Sequence, residues 1–354
     1  ALVQNEFVLY YQPKVNMRTG TVIGAEALIR WQHPELGLLA PGVFLPLIDD
    51  HPLAIDVGQW VIETALAQMS TWRVAGLHLP VSVNVGARQL QCVGFVDNLR
   101  LALAAHPGLD PSDLLLEVLE TSALEDMARV TEVMQQCRAM GVHYALDDFG
   151  TGYSSLTYLK RLPVSQLKID QSFVRDMLDD PDDLSILVGV LDLSASFHRQ
   201  VIAEGVETVA HGQMLLRLGC DLAQGYGIAR PMPAQELPAW ASTWQGDSQW
   251  RGVAAVSRHD LPLLFAGAEH RAWVVALEAF LKGEREGTLP LDSHRCHVGQ
   301  WLDSGGLAQH TGRPAAATIT ALHQQVHDLA QQLCALKAQG QVQVALQQLP
   351  DLLA

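Results

Sequence analysis

Seven β-forming apolar stretches of this chain end at or near a polar residue: Glu26, Asn84, Glu117, the tandem Asp147-Asp148, Lys168, Glu204 and Gln224. Four carboxylates and an amide, with Glu204 as a fifth acid, are hard oxygen donors suited to Mg²⁺ or Mn²⁺. No Cys or His joins them, which argues against zinc in this set. Five acids in one place repel one another unless cations are bound. A tandem Asp-Asp can bridge two metal ions about 3.5–4 Å apart, the arrangement used for in-line attack on a phosphodiester. Lys168, inside Leu167-Lys-Ile-Asp170, can orient or polarise a water, or pair with an acid. Arg30 can serve a phosphate oxygen or stand as a solvated surface base. The segment Asp147-Asp-Phe-Gly-Thr-Gly-Tyr-Ser-Ser155 can approach a phosphate or form an ordinary Gly-rich turn. Any one of these acids reads equally well as a helix cap. Their recurrence at seven strand ends favours chemistry.

The elements that must position them follow from periodicity. Strands are expected at Phe7–Gln12, Val22–Leu28, Val81–Asn84, Leu114–Val118, His143–Leu146, Gln166–Ile169, Val201–Ala203 and Leu222–Gly225. Between most of them lie helical stretches such as Ile55–Val74 and Ala128–Met140. Eight strands separated mostly by helices predict a TIM-like (β/α)8 barrel, which builds its sites at the C-terminal ends of its strands. Asn16-Met-Arg-Thr-Gly20 is too short for a crossover helix, so the first strand is expected to pair antiparallel with the second.

A second set of donors lies in the tail: His270, Cys296, His323 and His327. His323 and His327 are four apart and share one helix face, a spacing suited to joint metal ligation. A Cys/His3 set is tetrahedral and borderline-soft in character, which points to Zn²⁺ in a structural or regulatory role. As a thiolate ligand, Cys296 would be deprotonated by metal binding and would be sensitive to oxidants. Residues 258–354 lack a convincing strand. Trp273, Val274, Leu277 and Leu281 form one apolar stripe, and Leu322, Val326, Leu329, Leu333 and Leu336 another. With Gly305-Gly306 and Gly312-Arg-Pro314 as punctuation, a small all-α bundle of three to five helices is expected.

Composition separates the two parts. The 354 residues carry 38 acids against 23 bases, a net charge of −15 that argues against polymeric nucleic acid as a partner. Residues 1–249 hold 29 of those acids, whereas the tail is nearly neutral and holds 7 of the 14 histidines. The domains are read as a barrel at 1–245, a linker at 246–257 and the helical part at 258–354. Five unpatterned cysteines read as reduced thiols, hence a cytoplasmic setting. There is no membrane-spanning run and no secretion signal. The chain starts without Met and reads as a segment of a longer protein.

At these residues the sequence resembles the EAL-domain family of cyclic diguanylate phosphodiesterases. Glu26-Ala27-Leu28 supplies the name-giving motif. The match continues through Tyr11-Gln-Pro13, Ser82-Val-Asn84, Leu116-Glu-Val-Leu-Glu-Thr121, Asp147–Leu156, Lys168-Ile-Asp170, Ala203-Glu-Gly-Val-Glu-Thr208 and Gln224-Gly-Tyr226. The resemblance implies hydrolysis of one 3′–5′ phosphodiester of cyclic di-GMP to linear 5′-pGpG. By carry-over, Glu26, Asn84, Glu117 and Asp147 ligate one divalent ion. Asp147 and Asp148 hold a second, with Glu204 beside it. Lys168 and Glu204 position or deprotonate the attacking water. Glu120 and Glu207 support the loop after Asp148, and Gln12, Leu28, Arg30, Gln224 and Pro231 match substrate contacts. Val85-Gly86 and Ile48-Asp-Asp-His51 depart from the family pattern, away from these positions.

The tail resembles the chemoreceptor zinc-binding (CZB) family over about residues 265–330. It has an early His270, then Cys296-x-x-Gly299-x-Trp301, then His323-x3-His327. The two resemblances together imply a homodimeric signalling protein with an upstream sensory or GGDEF domain, its hydrolysis regulated by zinc or redox state. The alternatives are a catalytically silent cyclic di-GMP receptor and a zinc-responsive dimerising scaffold.

Overall fold

The computed structural model describes residues 1–121, 126–151, 156–285, 289, 291–310 and 314–352. The expected positions Gly152 to Ser155 of the Gly-rich segment, and Gly312-Arg313, lie outside the described residues. The chain divides into two compact units, 1–175 with 186–255 and 176–185 with 256–354.

The first unit is built on ten strands: β1 (Phe7–Asn16), β2 (Thr21–His33), β3 (Gly37–Leu39), β4 (Val81–Asn84), β5 (Leu114–Leu119), β6 (His143–Phe149), β7 (Gln166–Ile169), β8 (Gln200–Ala203), β9 (Leu222–Ala223) and β10 (Met232–Pro233). The sheet runs β10-β1-β9-β8-β7-β6-β5-β4-β2-β3, and the β1–β2 pairing closes it into a barrel. As expected from the short 16–20 connection, β1 is antiparallel to β2, while β2 and β4 through β9 pair parallel in succession. β3 and β10 were not expected, because strands of three and two residues carry no usable alternation. β2 runs past its expected end at Leu28 to His33, because the hairpin partner β3 pairs with Trp31–His33.

Helix α1 (Leu53–Val74) covers the barrel with Val57, Val61, Ile62, Ala65, Leu66, Met69 and Trp72 buried along one face. Full burial of each large apolar side chain is worth about 1.5–3 kcal/mol. Trp72 also donates from Nε1 to Ala234 O at 3.1 Å and meets the Tyr11 ring edge-on. Residues 246–255, read from sequence as the start of a linker, belong to the barrel unit. Trp250 is buried and donates to Val209 O at 3.0 Å, and Arg18 reaches Val253 O at 2.6 Å.

The second unit is helical: α2 (Leu261–Lys282), α3 (His297–Asp303), α4 (Pro314–Ala338) and α5 (Val342–Gln348), followed by a 3-10 turn at Leu349–Leu352. Its core joins Val274, Leu277 and Leu281 to Ala330, Leu333, Ala345, Leu349 and Leu352. Of the two expected stripes, one member is out of place: Leu322 is exposed. Its neighbours His323 and His327 face the Cys296 thiol instead, which turns Leu322 outward. No described helix is long and apolar enough to cross a membrane.

Candidate active site and metal centre

The barrel's parallel register brings the acids together. Asn84 stands level with Glu117, and Glu26 level with Ser82. Two consecutive residues of a regular strand point to opposite faces, so Asp147 and Asp148 cannot both serve one site without a distortion. The distortion is present. The β6–β7 ladder shifts register between Leu146 and Phe149, and Asp148 adopts a left-handed backbone with φ 53°. A bulge of this kind re-aims side chains beside a functional site. A left-handed non-glycine residue costs about 1–2 kcal/mol.

A single ammonium holds the cluster. Lys168 Nζ lies 2.6 Å from Glu117 Oε2, 2.7 Å from Glu204 Oε1, 3.0 Å from Asp147 Oδ1 and 3.4 Å from Glu26 Oε2. A second buried cation, Lys14, was not found from the sequence. Its Nζ is 2.5 Å from both Glu117 Oε1 and Ser82 Oγ. The available signal was a lysine alternating with Gln12 on a strand that is otherwise largely apolar. Asn84 donates to Glu26 Oε1 at 2.7 Å, and Gln224 Nε2 donates to Glu26 Oε2 at 2.7 Å and to Gln12 Oε1 at 2.9 Å. Gln12 is in turn anchored on Ala229 O.

These contacts set the charges. Burial opposes ionisation of Glu117, but Lys14 and Lys168 outweigh it and hold the carboxyl well below the usual range. Burial also opposes the Lys168 ammonium, yet Glu117, Glu204, Glu26 and Asp147 together hold it well above an ordinary lysine. Glu26 is pushed upward by burial and then by Glu117. Burial lifts Glu204 to about 8. Asp148 rises to about 6 through burial, with Asp147 and Asp170 adding to it.

The donor set fits divalent ions. Carboxylate oxygens of Glu26, Glu117 and Asp147 lie within 4.8 Å of one another, as do those of Asp147, Asp148 and Glu204, so Asp147 is common to both groups. All are hard donors. Beside them opens a cavity of about 240 Å³ lined by Gln12, Leu28, Gln224 and Tyr226 together with Glu26, Asp147 and Glu204. Gln224 Oε1, buried there, has no hydrogen-bond partner among the described residues. Of the other expected substrate contacts, Arg30 sits 5.7 Å over the Tyr10 ring, and burial lowers its guanidinium. Neither Arg30 nor Pro231 lines that cavity.

The loops at the mouth are held by close backbone approach. Val206 N donates to Gln224 O at 3.1 Å and Gly227 N to Val206 O at 2.9 Å. A Cβ on Gly225 would lie 2.2 Å from Val206 N, so only glycine fits between the Glu204 and Gln224 segments. Glu120 is buried and accepts from Gly150 N at 3.2 Å, tying the loop after Asp148 to β5. Glu207 stands exposed on the cavity wall, and its carboxylate makes no hydrogen bond to residues 147–151 among the described residues.

In the helical unit three of the four expected donors converge. Cys296 Sγ is 3.1 Å from His323 Nε2 and 3.9 Å from His327 Nε2. Burial, then the neighbouring histidines, lowers His323, and burial lowers His327, so both favour the neutral imidazole that binds metal. His270 lines the same cavity of about 340 Å³. It belongs to no donor cluster of three or more among the described residues, and its Nε2 faces Leu352 O at 3.3 Å. Two further histidines are paired with acids, His294 with Asp303 and His297 with Glu269.

Residues 1–231 match the family model of the EAL domain, and residues 270–334 match that of the chemoreceptor zinc-binding domain. The bifunctional diguanylate cyclase/cyclic di-GMP phosphodiesterase MucR of Pseudomonas aeruginosa is 46% identical over 240 residues, 68% of this chain and 35% of MucR. The cyclic di-GMP phosphodiesterase PA2567 of the same organism is 38% identical over 234 residues, 66% of this chain and 40% of PA2567. The chain thus spans little more than a third of the length of these curated relatives. A solved structure of the PaMucR phosphodiesterase in complex with c-di-GMP superposes with a TM-score of 0.65 at 46% identity, covering 67% of this chain and 96% of that one.

Proposed function

This chain belongs to the EAL domain family, and from that premise we propose that it hydrolyses cyclic di-GMP to linear 5′-pGpG at the barrel mouth. The observation that carries the reading is the convergence of Glu26, Glu117, Asp147 and Glu204 on one buried ammonium beside an open cavity. Glu26, Asn84, Glu117 and Asp147 would hold one Mg²⁺ or Mn²⁺, and Asp147, Asp148 and Glu204 the other. When bound, the ions supply Lewis acidity at the phosphate and a more acidic water.

The chain's own residues do the rest. Lys168 neutralises part of the acid charge and fixes the Glu204 carboxylate at 2.7 Å. Glu204, held by Lys168 beside the cavity, is placed to take a proton from water. The water oxygen bonds to phosphorus as the bond from phosphorus to the 3′ oxygen breaks. The water's proton passes to Glu204, and the released 3′ oxygen takes up a proton. Gln12, Leu28 and Gln224 line the space for the dinucleotide, and the unpartnered Gln224 Oε1 offers it an acceptor. Arg30 and Pro231 belong to the same reading as outer contacts, and Glu120 and Glu207 as supports of the loop after Asp148.

In the tail, Cys296, His323 and His327 would hold Zn²⁺, and zinc occupancy or thiol oxidation would modulate hydrolysis in a homodimer. Incubation of the purified protein with cyclic di-GMP and Mg²⁺, beside Glu26→Ala, tests the activity by chromatography of the product. Linear dinucleotide from the unmutated chain alone is expected; none from either overturns the reading. Equal rates before and after chelation, with zinc shown to leave, would overturn the regulatory part.

A further inference from the structure

Residues 247–253 lie between the two family-matched segments, 1–231 and 270–334, yet they are pinned along the helix Val209–Leu218 of the barrel unit. Trp250, 4% exposed, donates from Nε1 to Val209 O at 3.0 Å. Gln213 Nε2 donates to Gln249 O at 3.4 Å. Arg18 donates to Leu216 O at 3.2 Å and to Val253 O at 2.6 Å, which ties the far end of the helix to the end of the segment. Glycine inside a helix weakens it, and Gly212 has its reason here. A Cβ at that position would lie 2.4 Å from the Trp250 ring, so the helix forgoes a side chain to seat this one indole.

The end of the helix that Trp250 holds is the end that adjoins the site. Thr208 caps it by accepting from His211 N at 3.1 Å, and the buried His211 ring accepts from Glu207 N at 3.4 Å. Glu204 stands three residues before Glu207, with its own N bonded to Ile169 O at 3.1 Å. The turn between them has no room to absorb a shift. A Cβ on Gly225 would lie 2.2 Å from Val206 N, and one on Gly227 would lie 2.5 Å from Glu207 O. Close-packed contacts of this kind transmit a displacement instead of damping it. Movement of the helix start therefore reaches Glu204 and the Gln224 segment beside it.

We propose that Trp250 is a positioning residue for the hydrolysis. By bonding Val209 O and filling the space over Gly212, it holds the helix start that sets Glu204 on the wall of the substrate cavity. The proposal rests on the phosphodiesterase reading of the barrel, and it extends the working unit past the segment that matches the EAL domain. A misplacement of about 1 Å far from the reacting atoms can cost about 100-fold in rate.

The test compares the full chain with Trp250→Ala and Trp250→Phe, assayed with cyclic di-GMP and Mg²⁺ below the melting temperature of each. Trp250→Ala removes both the ring and the N–H donor, and is expected to lower kcat about 100-fold with KM little changed. Trp250→Phe keeps an aromatic ring and loses the N–H, so its kcat is expected to fall between the two. A Trp250→Ala chain that keeps its barrel unfolding transition and the kcat of the unmutated chain overturns the proposal, as does a loss confined to KM. Hydrogen exchange supplies a reading that needs no turnover. The amides of residues 204–209 are expected to lose protection in Trp250→Ala while those of β5 keep theirs; unchanged protection at 204–209 overturns the proposal. If Trp250→Ala does not fold, Trp250→Phe decides by the same two readings: lower kcat with weaker protection supports the proposal, and neither change overturns it. Absence of product from the unmutated chain marks failure of the phosphodiesterase reading instead, and exchange alone then decides whether Trp250 holds the turn.

Discussion

The two clusters gather candidate metal donors in opposite electrostatic ways. At the barrel mouth the donors are acids, buried, and already balanced by internal ammonium groups: Lys168 touches four carboxylates, and Lys14 pairs with Glu117. In the tail His323 and His327 are pushed toward neutrality and no counter-charge is needed. Charge is thus stored within the first cluster, while the second pairs a thiol with two imidazoles that favour the neutral form, beside a cavity. The mouth is consequently the more intolerant of losing one member, because a removed partner leaves a buried charge uncompensated.

The sharpest way to break the comparison is at the mouth itself. Glu26→Ala removes a carboxylate of the proposed metal site and the acceptor of both Asn84 and Gln224, and the proposed turnover of cyclic di-GMP is expected to fall to background, measured as linear product over time. Gly225→Ala comes next. Its Cβ would collide with Val206 backbone, moving Glu204 away from Gln224, so a large loss of activity together with a lower melting temperature is expected.

Lys14→Met tests stored charge directly. Breaking a buried pair in this way costs about 3–5 kcal/mol, to be read from urea unfolding without added metal. Mg²⁺ should return part of that loss by binding the folded state alone. A change within about 0.5 kcal/mol, the range of a neutral surface site, would show that Glu117 does not depend on Lys14.

In the tail, Cys296→Ser should abolish zinc retention while leaving the thermal unfolding of the barrel unit in place, read by metal analysis and calorimetry. The smallest effect is expected at His294. Its ring N–H donates to the Asp303 carboxylate, which raises the imidazole above its ordinary value, so Asp303→Asn should return its titration by NMR to about 6.5. Zinc affinity should not move, which would separate the paired histidines from the ligating ones.

Much of the barrel was legible because its signals are local. Apolar runs near polar ends named the eight principal strands, and a five-residue connection revealed the antiparallel start. Strand limits were less legible, since the extension of β2 to His33 depends on a three-residue partner that only pairing makes visible. At the site, the acids, Asn84, Lys168 and Gln224 could be named from strand ends, but the geometry of Asp147-Asp148 could not. Adjacent residues on a strand diverge, and the bulge that reconciles them arises from register between β6 and β7. Lys14 escaped because the first strand was expected to end at Gln12, whereas pairing with the second strand carries it on to Asn16.

By itself, then, the sequence determined the chemical inventory: oxygen donors in the barrel, one thiol and paired imidazoles in the tail, and the alternation that brings strand ends to one rim. Residue type and period are properties of the chain. The tertiary structure decided which groups share protons and charge, because that depends on contacts such as Lys14 with Glu117 across 103 residues and His270 with Leu352 across 82. Distances of that kind are set by packing, and no local pattern encodes them.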